Sequence, residues 1–503
     1  MSLRAKDAEA TASEKSADGE AIPHADIGSG RTLAVVAVLC FGGLVAAVMQ
    51  TLIIPIQPEL PARLGTSIEN ASWVITATLL GGAVAMPIAG RLADMFGKQR
   101  VLAVSAALLI VGSVIAALGS SLPALVAGRA VQGMAMGFIP VGISLMREVT
   151  PEHLTSMAVS AMSAMMGVGA GVGLPVAAWI SQSMDWHVLF WMSGGLGVIV
   201  LVLTLLVVPH IDDAVGGRLD LAGALGLSVG LITVLTAVTK GNHWGWSSPI
   251  TLGLLGGGLG VLLLWGLFEL RHIDPLVDLR TTARPAVLCT NIASIAIGFG
   301  MMAQAVAIPL LLETPATTGA GLGQTVLQAG LWMAPFGGMM LLMSPVSGTL
   351  IRRIGGRYAF LIGAALLGAG YLFALFLMDT PVQIMIASIV CAAGVGVAYS
   401  AMPTLIMDNV PADESGAAVG LNGLMRSIGT TSASAVIAMV LAGSTVTVAG
   451  HDYPDQSAFR WCFLIGAAAS YVGFLIALLI PRGSGVESKT LLSEPNSGTK
   501  SNL

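Results

Sequence analysis

Fourteen runs of about 20 apolar residues, nearly free of charge, lie between residues 33 and 480 of this 503-residue chain. A helix crosses a bilayer with about 20 such residues. In hydrocarbon every backbone N–H and C=O must be satisfied within its own segment, so runs like these form membrane-spanning helices. Charge is correspondingly scarce. Residues 32–481 hold 35 of the 50 charged side chains, and the chain is 10% charged and 55% hydrophobic, against about 25% charged in soluble domains. Mean hydropathy is +0.86. There are too few charges to coat soluble domains, which excludes a soluble enzyme, a nucleic-acid binder and a disordered protein. A net charge of −4 implies no polyanionic partner.

Basic residues orient the spans. With the N-terminus inside, one face receives 18 of them: Arg4, Lys6, Lys15, Arg31, Arg91, Lys98, Arg100, Arg147, Arg218, Arg271, Arg280, Arg284, Arg352, Arg353, Arg357, Arg482, Lys489 and Lys500. The other face receives only Arg63, Lys240 and Arg460, while Arg129 and Arg426 fall within spans. Positive charge marks the inner face, so both termini are expected in the cytoplasm of a multi-pass plasma-membrane protein. The first 31 residues mix acids, bases and Ser without an apolar core, which fits a disordered tail rather than a signal peptide. Seventeen Arg against six Lys, with abundant Ala, Gly and Val, points to a bacterial source.

The chain echoes itself. Gln50 and Pro55 match Gln304 and Pro309 at an offset of 254. Pro87, Gly90, Gly97 and Pro123 match Pro345, Gly348, Gly355 and Pro381 at 258, and Pro151 matches Pro411 at 260. Two six-helix halves are expected, 32–209 and 286–481, joined by a linker (210–285) with two extra helices, between cytoplasmic tails 1–31 and 482–503. Parallel repeats with a site between them near the midplane are a secondary-transporter architecture.

After the second run, expected at 70–90, comes Gly90-Arg91-Leu92-Ala93-Asp94-Met95-Phe96-Gly97-Lys98-Gln99-Arg100. It resembles the signature loop of the major facilitator superfamily, Gly-x-Leu-x-Asp-x-x-Gly-[Arg/Lys]-x-[Arg/Lys]. The resemblance implies a gate latch built on Gly90, Asp94, Gly97, Lys98 and Arg100. Physically, Gly90 permits close helix approach, Gly97 a tight turn, and Asp94 can cap a helix start or pair with a base. The fourth run carries Gly128-Arg129-Ala130-Val131-Gln132-Gly133, with Arg129, Gln132, Met136 and Pro140 on one helical face. It is similar to the family's fourth-helix Arg motif, which implies proton coupling. A structural, carbonyl-bonded arginine is the other reading. Gly169, Gly173 and Pro175 resemble the drug-antiporter motif of the fifth helix, and also suit plain close packing. Asp185-Trp186-His187-Val188-Leu189-Phe190 resembles the family's entry to its sixth helix.

Together these features resemble the fourteen-span drug:proton antiporter branch. The implied fold is an all-α major facilitator fold, two six-helix bundles plus two linker helices. One departure stands out. Aligning the branch's Leu-Asp-x-Thr…Pro on Thr51 and Pro58 puts Met49 where the acid would be. No acid lies deep in any run, so coupling falls to Arg129 with Asp94, Glu148 or another terminal acid. The sparse polar and aromatic groups within the runs are the candidate substrate contacts: Gln50, Trp73, Thr76, Gln132, Met136, Asn291, Gln304, Trp332, Asn422 and Arg426. Twenty-five Met, with Met165, Met166, Met301, Met302, Met333, Met339 and Met340 in central spans, suit varied lipophilic ligands.

The expected function is efflux of amphipathic or lipophilic compounds, multidrug resistance by proton antiport with alternating access. The expected partners are a lipophilic substrate, protons and the lipid bilayer, without nucleic acid, and the protein is expected to be a monomer. Rivals are an exporter of one endogenous metabolite, lipid or antibiotic, and an uncoupled facilitator. An enzyme is disfavoured, Asp274-Pro-Leu-Val-Asp278 being the nearest acid pair. No phosphate-binding Gly-x-x-x-x-Gly-Lys-[Ser/Thr] loop exists. Cys40, Cys289, Cys391 and Cys462 are scattered through apolar runs, so neither a metal site nor a cofactor is expected.

Overall fold

The computed structural model describes residues 29–57, 59–211, 219–272, 274–448 and 451–482. Fourteen helices are long and apolar enough to cross a membrane. They are α1 (Gly30–Ile56), α2 (Trp73–Phe96), α3 (Lys98–Leu118), α4 (Leu122–Val149), α5 (His153–Ser183), α6 (His187–Val207), α7 (Leu221–Trp244), α8 (Pro249–Glu269), α9 (Pro285–Glu313), α10 (Val326–Ile354), α11 (Gly356–Phe376), α12 (Pro381–Met407), α13 (Ala412–Gly443) and α14 (Gln456–Ala477).

Local chemistry sets their ends. Thr325 with Gln328, and Thr380 with Gln383, close capping boxes at the starts of α10 and α12, each satisfying two otherwise orphaned N–H groups. The Asp220, Ser248 and Asp455 side chains cap α7, α8 and α14. Asp185 accepts the His187 N–H (2.8 Å) at the start of α6, which holds its carboxyl below the usual carboxylate range. Behind it Trp186 stacks 3.8 Å from His187 and meets Phe190 edge-on. Gly97 and Gly355 turn the chain from α2 to α3 and from α10 to α11 with φ of 92° and 83°. The two offset-related glycines thus serve equivalent turns, in a region that side chains rarely adopt.

The helices α1–α6 and α9–α14 pack mainly among themselves. Two extensive pairs, α2 with α13 and α5 with α10, join the halves, supported by α5 against α12 and α4 against α13, while α7 packs on α8 and against α2 and α13. Glycine permits these approaches. Gly171 of α5 faces Gly337 of α10. Gly90 of α2 faces the Gly416 backbone, where any Cβ would collide with the Gly416 carbonyl. In lipid, such van der Waals contact replaces the hydrophobic effect as the force between helices.

The structure departs from the sequence expectations in four places. The Gly90–Arg100 motif is not a loop: α2 runs to Phe96 and α3 starts at Lys98, around Gly97 alone. Helix α7 runs to Trp244 instead of ending near 239, which puts Lys240 inside it, fully buried. A hairpin of β1 (Thr445–Val448) and β2 (His451–Pro454) interrupts the all-helical pattern between α13 and α14. It pairs antiparallel in register from Thr445↔Pro454 to Val448↔His451. Finally, helix begins at Ser29, inside the segment expected as a disordered tail. Pro58, Arg4, Lys6, Lys15, Arg218, Lys489 and Lys500, with most of both tails, lie outside the described residues. The end of the molecule bearing Arg91, Lys98, Arg147 and Arg352 is called the basic face below, and the opposite end the hairpin face.

Candidate functional site: a gate at the basic face and two buried arginines

Asp94 sits in the last turn of α2 and is 3% exposed. Its two carboxylate oxygens accept the backbone N–H groups of Gly416 (3.1 Å) and Ala417 (2.9 Å) in the first turn of α13. This is a helix-capping role across the halves. The α13 N-terminus offers unpaired donors and the positive end of its dipole, and Gly90 lets the backbones close enough to make the bonds. Three more hydrogen bonds close the same face. Arg147 donates to the Met407 carbonyl (2.7 Å), Ser144 and Ser415 share one (2.7 Å), and Arg352 donates to the His153 carbonyl. Arg352 is Asp94's counterpart at the repeat offset of 258. Where the first half sets an acid on helix N–H groups, the second sets a base on a carbonyl.

The other motif residues support this face. Lys98 is buried and ion-paired with Glu148 at 2.5 Å, tying α3 to α4. Arg100 reaches the exposed His210 ring at 3.5 Å.

Arg129 lies in the hairpin-face half of α4 and is 1% exposed. Its Nη1 donates to the Met49 carbonyl (3.0 Å) and the Gln132 Oε1 (3.1 Å), and its Nε to the Val74 carbonyl (3.5 Å). The Met49 sulfur is 3.6 Å away. Gln132 passes the chain to Ser113 (2.8 Å), and Ser113 to Ser193 (3.3 Å). The carbonyl-bonded reading of Arg129 is the one the geometry fits. Met49, in the place of the antiporter acid, does touch the arginine, but it supplies a carbonyl and a thioether instead of a carboxylate.

The grouping of Arg129, Asp94 and Glu148 into one coupling centre needs correction. Arg129 and Glu148 stand 19 residues apart on α4, about 28 Å at 1.5 Å per residue, and Asp94 bonds elsewhere.

Arg426 lies midway along the 32-residue α13 and is 4% exposed. Its guanidinium stacks 4.9 Å over the Tyr399 ring of α12. Its Nε and Nη1 are buried without a hydrogen-bond partner. One turn earlier, Asn422 donates to Asn291 Oδ1 (3.0 Å) and Ser294 Oγ (2.8 Å) of α9. The Asn291 Nδ2 and Asn422 Oδ1 atoms are buried and unpaired. An arginine at bilayer depth costs about 3 kcal/mol on insertion scales, and buried donors without partners add to that.

The remaining candidates scatter. Gln50 donates to the Met136 sulfur (3.0 Å), beside the Arg129 group. Thr76 bonds back to the Ser72 carbonyl (3.2 Å). Trp73 lies beneath Lys240 at 4.6 Å, in the contact between α2 and α7. Trp332 donates to Gln324 (3.1 Å), and Gln304 is buried with Oε1 unpaired. Met333 and Met340 are buried, and Met165, Met166, Met301, Met302 and Met339 half-buried. Two cavities, of about 260 Å³ at the basic face beside Arg91 and about 560 Å³ between α9, α13 and the hairpin, are lined by none of these candidates. Gly169 and Gly173 pack α5 on α1, where added Cβ atoms would meet Ala47 and Thr51, and Pro175 lies beside Gly330. Their visible work is close packing. Tyr399 and the receiving Gly416 and Ala417 carried no sequence signal of their own. The pairing of Pro151 with Pro411, which start equivalent helices, was the available pointer to Gly416.

Comparison with known proteins agrees with this architecture. The Major Facilitator Superfamily description matches residues 39–433 and 290–500. The chain is 28% identical over 407 residues to the multidrug resistance protein Stp of Mycobacterium tuberculosis, across 80% of this chain and 74% of that one. It is 26% identical over 433 residues to the tetracenomycin C resistance and export protein of Streptomyces glaucescens, across 84% and 77%. The solved proton:xylose symporter XylE superposes with a TM-score of 0.63 at 16% identity, over 90% of this chain and 97% of that one, a likeness of fold. With its fourteen spans, its repeated halves and the match over most of its length, the chain belongs to the Major Facilitator Superfamily, membrane transporters rather than enzymes.

Proposed function

We propose that this transporter exports amphipathic organic compounds across the plasma membrane by proton antiport, with its basic face and both termini in the cytoplasm. The observation that carries the reading is the closed basic face, where five side-chain hydrogen bonds cross between the halves. A site between the halves opens to that side only when these bonds break, which is the alternation that transport needs. The names of two relatives, a multidrug resistance protein and an antibiotic export protein, support the direction and the kind of cargo. Basic residues on the inner side support the orientation.

Asp94 is the acid placed to couple the gate to protons. As a carboxylate it holds two N–H groups at the positive end of α13, charge-assisted bonds worth about 1.5–3 kcal/mol each. Protonation removes the charge and loosens α13, so a proton arriving favours the state open to the cytoplasm, and its departure favours closure. Glu148, held by Lys98, is a second acid at the same face. The single-compound exporter is the second reading, favoured by the tetracenomycin relative. There, one compound would exclude all others in competition.

The test is dye accumulation by proteoliposomes with and without an imposed pH gradient. Uphill accumulation that requires the gradient, and falls at least tenfold in Asp94→Asn, is expected. Transport indifferent to the gradient would leave an uncoupled facilitator.

A further inference from the structure

Of the two arginines buried in the spans, one has acceptors for its Nε and Nη1 and the other has none for these same two atoms. Arg129 places its nitrogens on two carbonyls and an amide oxygen. Arg426 has Nε and Nη1 buried with no acceptor, and among the described residues no carboxylate forms an ion pair with it. The Tyr399 ring covers the guanidinium face, leaving the N–H edge to seek a partner. A second donor lies one turn away. Ser294 gives its own hydrogen to the Thr290 carbonyl, so it can only accept from the Asn422 amide. That orients Asn422, turns the Asn291 oxygen towards it and leaves the Asn291 Nδ2 buried and unmet. With the Ser294 hydroxyl given to the Thr290 carbonyl, the amide orientation assigned from the hydrogen-bond network makes this group a donor.

The guanidinium also lies at the seam between the halves. A Cβ built on Gly423 would be 3.8 Å from Arg426 Nη2 and 2.8 Å from the sulfur of Met86, on α2 of the other half. Parting α2 from α13 would therefore open space at Gly423, within reach of the Arg426 Nη2, beside Met86 and Tyr399. An unneutralised cation in an apolar seam selects an opposite charge.

We infer that Arg426, with Asn291 beside it, is the charge-selecting site for substrate, and that the cargo class is lipophilic organic monoanions or dianions, such as aromatic carboxylates and phenolates. The inference rests on the exporter reading above and narrows it: cationic dyes are the poorer cargo. The anion's oxygens accept from the guanidinium edge and the Asn291 amide, and its hydrophobic body lies against Met86 and the facing helices.

The experiment uses the full chain in proteoliposomes with two xanthene dyes of opposite charge, fluorescein and rhodamine 6G. Fluorescein is expected to move at least tenfold faster. Arg426→Met is expected to lose at least tenfold of fluorescein transport while keeping rhodamine 6G transport within twofold, and Arg426→Lys to retain part of the fluorescein rate. In detergent, fluorescein is expected to raise the melting temperature of the unaltered protein and not of Arg426→Met. Transport of rhodamine 6G alone, or equal loss of both dyes in Arg426→Met, overturns the anion assignment and leaves the exporter reading intact. So does a melting temperature that falls when chloride is replaced by gluconate and ignores fluorescein, since a bound chloride would then be the partner. Movement of neither dye overturns the exporter reading, and this inference with it.

Discussion

The two buried arginines show how one residue type serves two ends. Arg129 crosses from α4 to the carbonyls of α1 and α2, and its hydrogen bonds are supplied by the fold itself. Arg426 remains within its half, rests on a tyrosine ring, and has buried N–H groups that nothing in the described residues receives. Burial does not distinguish them, at 1% and 4% exposure. Satisfaction does. A satisfied buried cation is a cross-link among three helices. An unsatisfied one is a cost the fold carries, and such costs gather at functional sites.

The widest gap between the two is expected in stability. Arg129→Met takes the donor from the Met49 carbonyl and the Gln132 Oε1 and is expected to lower stability by about 2–4 kcal/mol. Arg426→Met removes an unpaired charge and is expected to leave stability unchanged or raise it by about 1 kcal/mol. Thermal unfolding of the two purified variants checks this, and equal destabilisation would erase the distinction. Next is the gate. Arg352→Ala is expected to lower transport severalfold, and combining it with Asp94→Asn to lose more than the sum of the two, because both locks close one face. Additive losses in the transport assay would make the locks independent.

Met49→Asp comes third, since it puts a carboxylate beside Arg129 where only a thioether stands at 3.6 Å. The variant is expected to make transport more steeply dependent on the pH gradient by about threefold, measured as initial rate against imposed gradient. An unchanged dependence would show that an acid there is not enough. The smallest effect concerns the ring under Arg426. Tyr399→Phe keeps the aromatic face and is expected to change anion transport less than twofold. Tyr399→Leu removes a cation–π contact worth about 0.5–2 kcal/mol and is expected to lower it severalfold.

Much of this was legible in the residues. Span number followed from apolar run length, because hydrocarbon tolerates no unpaired backbone. The Gly90–Arg100 motif pointed to the stretch whose Asp94 bonds across the halves, and Gly97 to its turn. The latch partner was not legible. Gly416 and Ala417 contribute only backbone N–H groups, which every residue has, and they lie more than 300 residues from Asp94. The α7 boundary was misplaced because Lys240 looked like a loop residue. Its ammonium instead lies over the Trp73 ring and donates to Ser72, so the helix continues past it. The hairpin was missed because β1 is four residues of alternating exposure, too short to carry a period against its apolar neighbours.

By itself, the sequence determined that this chain lives in a membrane as two related helical halves with two intramembrane arginines. Those properties depend on hydropathy and spacing, which are local and additive along the chain. Only the tertiary structure decided which arginine is spent on the fold and which is left over, and which face of the molecule is locked. Those properties depend on which backbone groups from distant helices come within 3 Å of a given side chain, and no spacing in one helix encodes that.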